Sequence, residues 1–172
     1  MRINVSGLLK SAIGTVRDYR LSDTVNISGS DSLVEGEVSL VRTDRGVLVK
    51  AALATEVELS CGRCLSRFRL PLTMRMEEEY FPVVDVMSGG SLTAPNEPGC
   101  FTLDEHHDLD LTEAVRQYAL MAVPMKPLCR EDCSGLCPSC GQNLNRGACG
   151  CVDQEIDPRW AKLLERQLSE DQ

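Results

Sequence analysis

Phe68-Arg69-Leu70-Pro71-Leu72-Thr73-Met74-Arg75-Met76-Glu77 decides the fold class. Apolar side chains fall at 68, 70, 72, 74 and 76, while Arg69, Thr73, Arg75 and Glu77, preceded by Arg67, take alternate positions. A period of two belongs to a strand, whose successive side chains point to opposite faces. One greasy face and one wet face suit an antiparallel sheet covered on one side. Just upstream, residues 55–60 alternate in the same way, with Val57 and Leu59 on one face. Residues 33–41 and 47–52 read as two further strands around Thr43-Asp44-Arg45-Gly46, where Asp and Gly favour a hairpin turn. The pattern predicts an antiparallel sheet of about five or six strands over residues 20–80.

Helical spacing appears on either side of this block. Val5, Leu8, Leu9 and Ile13 predict a short helix with Ser6 as its N-cap. Leu111, Ala114, Val115, Tyr118, Met121 and Ala122 form an apolar stripe. Asp110 and Glu113 stand at capping-box spacing before it, and Pro124 ends it. Between sheet and stripe, residues 82–100 are rich in Gly, Pro, Ser and Asn and read as a long loop. Asp157-Pro158 opens a terminal helix with Trp160, Leu163, Leu164 and Leu168 on one side. The expectation is an α+β protein. Residues 1–125 form a β-rich domain with packed helices and the 82–100 loop; residues 126–172 form a cysteine-rich zinc module plus the terminal helix.

With 172 residues the chain suits one domain of ordinary size and a small appended module. Aromatics make up only 4%, so the core must be mainly aliphatic. The formal net charge is −8, concentrated in residues 81–128 and the tail. Such a chain repels phosphate backbones at long range, which favours a basic protein partner over broad RNA contact. No stretch approaches the roughly 20 apolar residues of a membrane span. Lys10 interrupts the short apolar patch near the start, so no signal peptide is read and a reducing cytoplasm is expected. In that compartment nine cysteines point to metal before disulfides.

Six of the nine lie in residues 129–151, a segment with almost no large apolar side chains and no core of its own. Cys137-Pro138-Ser139-Cys140-Gly141 has zinc-knuckle spacing. Both sulfurs can face one ion, and the glycine permits the positive φ that closes the turn. Zinc takes four such ligands, and Cys149 with Cys151 is the nearest second pair, making Cys137, Cys140, Cys149 and Cys151 the primary metal site. A four-thiolate zinc keeps no open position for water, so its role is structural rather than catalytic. Neither a disulfide framework nor an iron–sulfur cluster fits as well, for want of an export signal and of ferredoxin spacing.

Cys61 and Cys64 sit between two strands, at a hairpin tip. The blander reading, and the favoured one, is a buried or turn-forming pair without metal. The alternative joins them to Cys129 and Cys133 as a second zinc set, leaving Cys100 alone in the loop. A redox pair is the least favoured reading, because no helix N-terminus lowers the thiol pKa. Arg63, Arg67, Arg69 and Arg75 form the one local basic stripe, a contact for RNA or a protein partner. The competing reading is a wet sheet face with cross-strand ion pairs to Glu56 and Glu58. His106 and His107, beside Asp104 and Asp108, read as a solvated loop.

Cys61-Gly-Arg-Cys64-Leu65, Asp110-Leu-Thr-Glu-Ala-Val-Arg116 and Pro124-Met-Lys-Pro-Leu-Cys129 resemble motifs of the YceD family. So does Cys129-Arg-Glu-Asp-Cys133-Ser-Gly-Leu-Cys137-Pro-Ser-Cys140-Gly-Gln-Asn-Leu-Asn145 with its closing Cys149-Gly-Cys151. The resemblance implies a bacterial, non-enzymatic ribosome-biogenesis factor supporting accumulation of large-subunit ribosomal RNA. Its expected partner is a ribosomal protein or precursor large-subunit particle, or rRNA itself; no membrane or small-molecule substrate is expected. The other functions weighed are a stand-alone nucleic-acid-binding zinc protein and a thiol oxidoreductase using Cys61 and Cys64.

Overall fold

The computed structural model describes residues 1–93 and 99–151. In chain order these comprise β1 (Arg2–Asn4), α1 (Ser6–Leu9), β2 (Val16–Ile27), β3 (Ser30–Arg42), β4 (Val47–Ser60), β5 (Arg67–Phe81), β6 (Phe101–Thr102), β7 (Asp108–Asp110) and α2 (Thr112–Ala122). The architecture is α+β, with one sheet in the order β2-β3-β4-β5-β6 and a separate ribbon of β1 and β7. β2 to β5 form an antiparallel meander, whereas β6 joins β5 in parallel. The sheet is therefore mixed at one edge, where an antiparallel sheet was expected.

Residues 47–52 and 55–60, read separately from sequence, are one strand, β4. It pairs with β5 from Val47↔Tyr80 to Ser60↔Arg67. β5 faces β4 on one side and meets β6 only at Tyr80 and Phe81, which leaves Pro71 on a strand edge where no ladder N–H is demanded. The β2–β3 hairpin turns through Ser28 and Gly29, both at positive φ, as a two-residue turn matching strand twist requires. Gly36, at φ +157°, allows β3 to approach β4: a Cβ there would lie 2.1 Å from the Ala52 carbonyl oxygen.

The alternation carries through to packing. Val49, Ala51, Leu53 and Val57 of β4 and Leu72, Met74 and Met76 of β5 are buried on one face, with Val34, Val38 and Leu40 of β3 beside them. α2 lies across that face, touching β5 and β2, and contributes Ala114, Val115 and Ala119. Met121 is 70% exposed, because it lies on the margin of the helical stripe. The expected capping box does not form. The Asp110 carboxylate accepts the Thr112 N–H (2.9 Å), but Glu113 turns forward to Arg116 and Gln117. α1 is a single turn. Val5, Leu8 and Leu9 are buried as expected but Ile13 is exposed, and Asn4, rather than Ser6, receives the first free N–H with its side chain. In the 82–100 segment, Val84 pairs with Ser91 around a turn in which Asp85 accepts the N–H groups of Met87 and Ser88. The expected terminal helix from Asp157 lies outside the described residues.

Candidate metal centres

β4 and β5 do not meet in an ordinary turn. The chain leaves β4 at Ser60 and folds Cys61–Ser66 into a loop closed by two backbone bonds, Leu65 N–H to the Cys61 carbonyl (3.0 Å) and Cys61 N–H to the Ser66 carbonyl (2.9 Å). Residues 137–142 repeat both of these backbone bonds. Gly141 N–H donates to the Cys137 carbonyl (2.9 Å) and Cys137 N–H to the Gln142 carbonyl (2.8 Å). The fifth residue has positive φ in both, +57° at Leu65 and +73° at Gly141. The hairpin tip thus has the same turn as the Cys137–Cys140 pair that the sequence reads as a zinc knuckle, with a leucine in place of its glycine.

Each knuckle meets a second pair of thiols. Cys61, Cys64, Cys129 and Cys133 form an inner quartet, and Cys137, Cys140, Cys149 and Cys151 an outer one. The sulfurs of each lie within 4.8 Å of one another, and each quartet could hold a metal ion. In the inner quartet Cys61 Sγ lies 3.7 Å from Cys133 Sγ, and Cys64 Sγ lies 3.7 Å from Cys129 Sγ. A regular tetrahedron of thiolates at about 2.3 Å from zinc has edges of roughly 3.8 Å, so the donor set fits that ion. All nine cysteines are free thiols. A lone turn-forming pair, the reading the sequence favoured for Cys61 and Cys64, does not account for the approach of Cys129 and Cys133.

Thiol electrostatics point the same way. N–H groups of Cys64 and Cys129, aimed at Cys61, draw its pKa down to about 6. Ser66 lowers that of Cys64, first through its hydroxyl and then through its backbone N–H. Burial, followed by the neighbouring thiols, pushes Cys129 up to about 12. The outer set repeats the contrast. The N–H of Cys140 leads in lowering Cys137 to about 6, while Cys151, pressed first by Cys140, rises to about 12. Four sulfurs so close cannot all be anionic by themselves; a divalent cation removes the conflict.

The surroundings of the two quartets differ. Cys61, Cys64 and Cys133 are buried with Phe68, Leu128, Cys129 and Leu136 packed about them, whereas Cys140 and Cys151 are exposed. Gly62 N–H donates to the Pro127 carbonyl (2.8 Å), and Arg63 Nη1 donates to the Cys133 carbonyl (2.9 Å). Arg63, expected on the basic stripe, thus fastens the hairpin tip to the C-terminal segment. Arg67 pairs with Glu58 (3.0 Å) and Arg69 with Glu56 (3.6 Å), the cross-strand pairs named as the competing reading. Among the described residues Arg75 alone of the four has neither an ion pair nor a side-chain hydrogen bond. Asp104 accepts the N–H groups of His106 and Asp108, so this acidic loop is a turn. Cys100 belongs to neither quartet. Sequence reading missed Asn143 and Asn145, whose side chains reach Ser66 Oγ (3.2 Å) and Cys133 Sγ (3.3 Å); their position between outer ligands was the available signal.

Fold and site together define an α+β protein with two four-cysteine clusters that could each hold a metal ion, one of them at the tip of the sheet's longest hairpin. A family model described as large ribosomal RNA subunit accumulation protein YceD matches residues 49–165, and the chain belongs to that family. An uncharacterized protein of Mycobacterium tuberculosis is 34% identical over 134 residues, covering 78% of this chain and 62% of its own length. The Arabidopsis thaliana protein named large ribosomal RNA subunit accumulation protein YCED homolog 1, chloroplastic, is 24% identical over 182 residues, covering 93% of this chain and 55% of its own length. The chain therefore spans little more than half the length of these relatives. No solved structure matches it. Among the described residues no helix is long and apolar enough to cross a membrane.

Proposed function

We propose that the protein is a cytoplasmic, non-enzymatic ribosome-biogenesis factor that supports accumulation of large-subunit ribosomal RNA by binding a basic ribosomal protein or a precursor large-subunit particle. Residues 1–125 are the β-rich domain, and residues 126–172 are the zinc-bearing module that presents the binding surface with the hairpin tip. Both quartets take structural Zn2+, which supplies folding free energy to a segment too poor in apolar side chains to order itself. The observation that carries this reading is the pair of four-cysteine clusters in a chain belonging to a family named for large-subunit rRNA accumulation.

Four sulfurs per ion leave no coordination position for a reacting water, which argues against catalysis at these centres. A net charge of −8 argues for a basic protein over bare RNA. Engagement of Arg63, Arg67 and Arg69 within the chain weakens the stand-alone nucleic-acid reading, and the crowding of Cys61 and Cys64 by two further thiols weakens the oxidoreductase reading. The test is affinity capture of the zinc-loaded chain under native conditions, with sedimentation of the extract on a gradient. Co-sedimentation with large-subunit precursors, or capture of a large-subunit protein, is expected. Absence from all such fractions overturns the proposal.

A further inference from the structure

The loop joining Cys140 to Cys149 does more than span the gap between outer ligands. Asn145, within it, turns its side chain back onto the inner quartet. Nδ2 lies 3.3 Å from Cys133 Sγ and 2.9 Å from Asn143 Oδ1, which uses both amide hydrogens. Its Oδ1 accepts the Ser134 N–H (2.9 Å) and an Arg130 Nη2 hydrogen (2.6 Å), which uses both lone pairs. Asn143 is held in turn, accepting the Asn145 N–H (3.0 Å) and donating to Ser66 Oγ (3.2 Å) on the inner knuckle. Leu144 N–H donates to the Gly135 carbonyl (2.9 Å), between the two ligand sets.

An amide with all four hydrogen-bonding positions filled has one orientation, and this one aims N–H at a metal-binding sulfur. A donor on a thiolate withdraws part of its negative charge and fixes the direction of its lone pairs, as outer partners of metal ligands do. Asn145 lies in the loop whose two ends carry the outer ligands Cys140 and Cys149, and Asn143 and Leu144 fasten that same loop to Ser66 and Gly135. We propose, on the reading that both quartets take zinc, that Asn145 couples the two centres: filling the outer quartet sets Asn145 against Cys133 and tightens the inner one. By linkage the inner ion tightens the outer site by the same factor.

The test uses the full chain, reduced and zinc-loaded, titrated with a zinc chelator. Protection of each cysteine from alkylation, read peptide by peptide by mass spectrometry, gives the occupancy of the two quartets separately. Asn145→Ala and Cys149→Ser, the latter removing one outer ligand without touching an inner one, should each raise the free zinc at which the inner quartet is half empty by about ten-fold. The double variant should lose no more than either single one. An inner quartet unaffected by Cys149→Ser, or losses that multiply in the double variant, overturns the coupling. If Asn145→Ala does not fold, Cys149→Ser against the parent chain still decides. A parent chain protecting neither quartet refutes zinc itself; one protecting both, with variants unchanged, refutes the coupling alone.

Discussion

Replacing Cys64 by serine should cost the sheet far more than replacing Cys140. Both are second cysteines of matching knuckles, so the difference lies in what each centre joins. The inner quartet ties the hairpin tip to a segment 65 residues away through Cys64 and Cys129, and 72 away through Cys61 and Cys133. A cross-link over a loop of that length removes about 4 kcal/mol of chain entropy from the unfolded state. Metal that stays on unfolded cysteines reduces the figure, which makes it an upper value. The outer quartet closes only residues 137–151, beyond the last sheet contact. Urea unfolding followed by far-ultraviolet circular dichroism should therefore show Cys64→Ser losing up to about 4 kcal/mol, or roughly 8–16 °C in Tm for a chain of this size. Cys140→Ser should lose no more than about 1.4 kcal/mol, the amount that a ten-fold loosening of the inner ion carries into the sheet transition. Equal shifts in the two variants, or none in Cys64→Ser, would refute the argument that the inner ion staples the sheet.

Three other substitutions probe the backbone and charge. Gly36→Ala places a Cβ 2.1 Å from the Ala52 carbonyl oxygen, so β3 and β4 must part; a loss above about 3 kcal/mol in chemical denaturation is expected, and a near-neutral result denies the close approach. Gly141→Ala meets no atom within 4 Å but forces alanine to φ near +73°. It should weaken the outer site by about 1–2 kcal/mol in chelator competition. The Glu113 carboxylate is held down to about 2 by Arg116 and then Gln117. Because the folded value is the lower one, its contribution is complete above the ordinary 4.5 and fades as pH falls toward 2. Glu113→Gln should lower stability slightly at neutral pH, leave it unchanged near pH 2, and so flatten the acid-unfolding curve between.

The strands were legible wherever one face is buried and the other wet, because burial then writes a period of two into the residue types. β5 is the plainest instance: Leu72, Met74 and Met76 are buried and Thr73, Arg75 and Glu77 exposed. β2 was read only in part. It is the sheet's other edge, and only Val25 and Ile27 are fully buried along it, so its polar residues carry little rhythm. β6 is two residues long and takes its place from pairing with the end of β5, which no local pattern encodes. At the metal centres, glycine at 141 made one knuckle recognisable. Leu65 hid the other, because a side chain there gives no hint of a left-handed backbone. The meeting of Cys61 and Cys64 with Cys129 and Cys133 is a matter of tertiary approach, fixed by such links as Gly62 to Pro127 and Arg63 to Cys133.

The wide separation of the two halves of the inner centre orders events during synthesis. Cys61 and Cys64 emerge from the translating ribosome with β4, while Cys129 and Cys133 follow only after β5, β6, β7 and α2 have been made. Ion capture there is accordingly a late stitch, completed on a chain whose strands are already out and free to pair. On the proposal that the quartet takes zinc, a cell short of it would accumulate molecules with strands paired and the cysteine segment unfastened, so the amount of finished protein would report on metal supply.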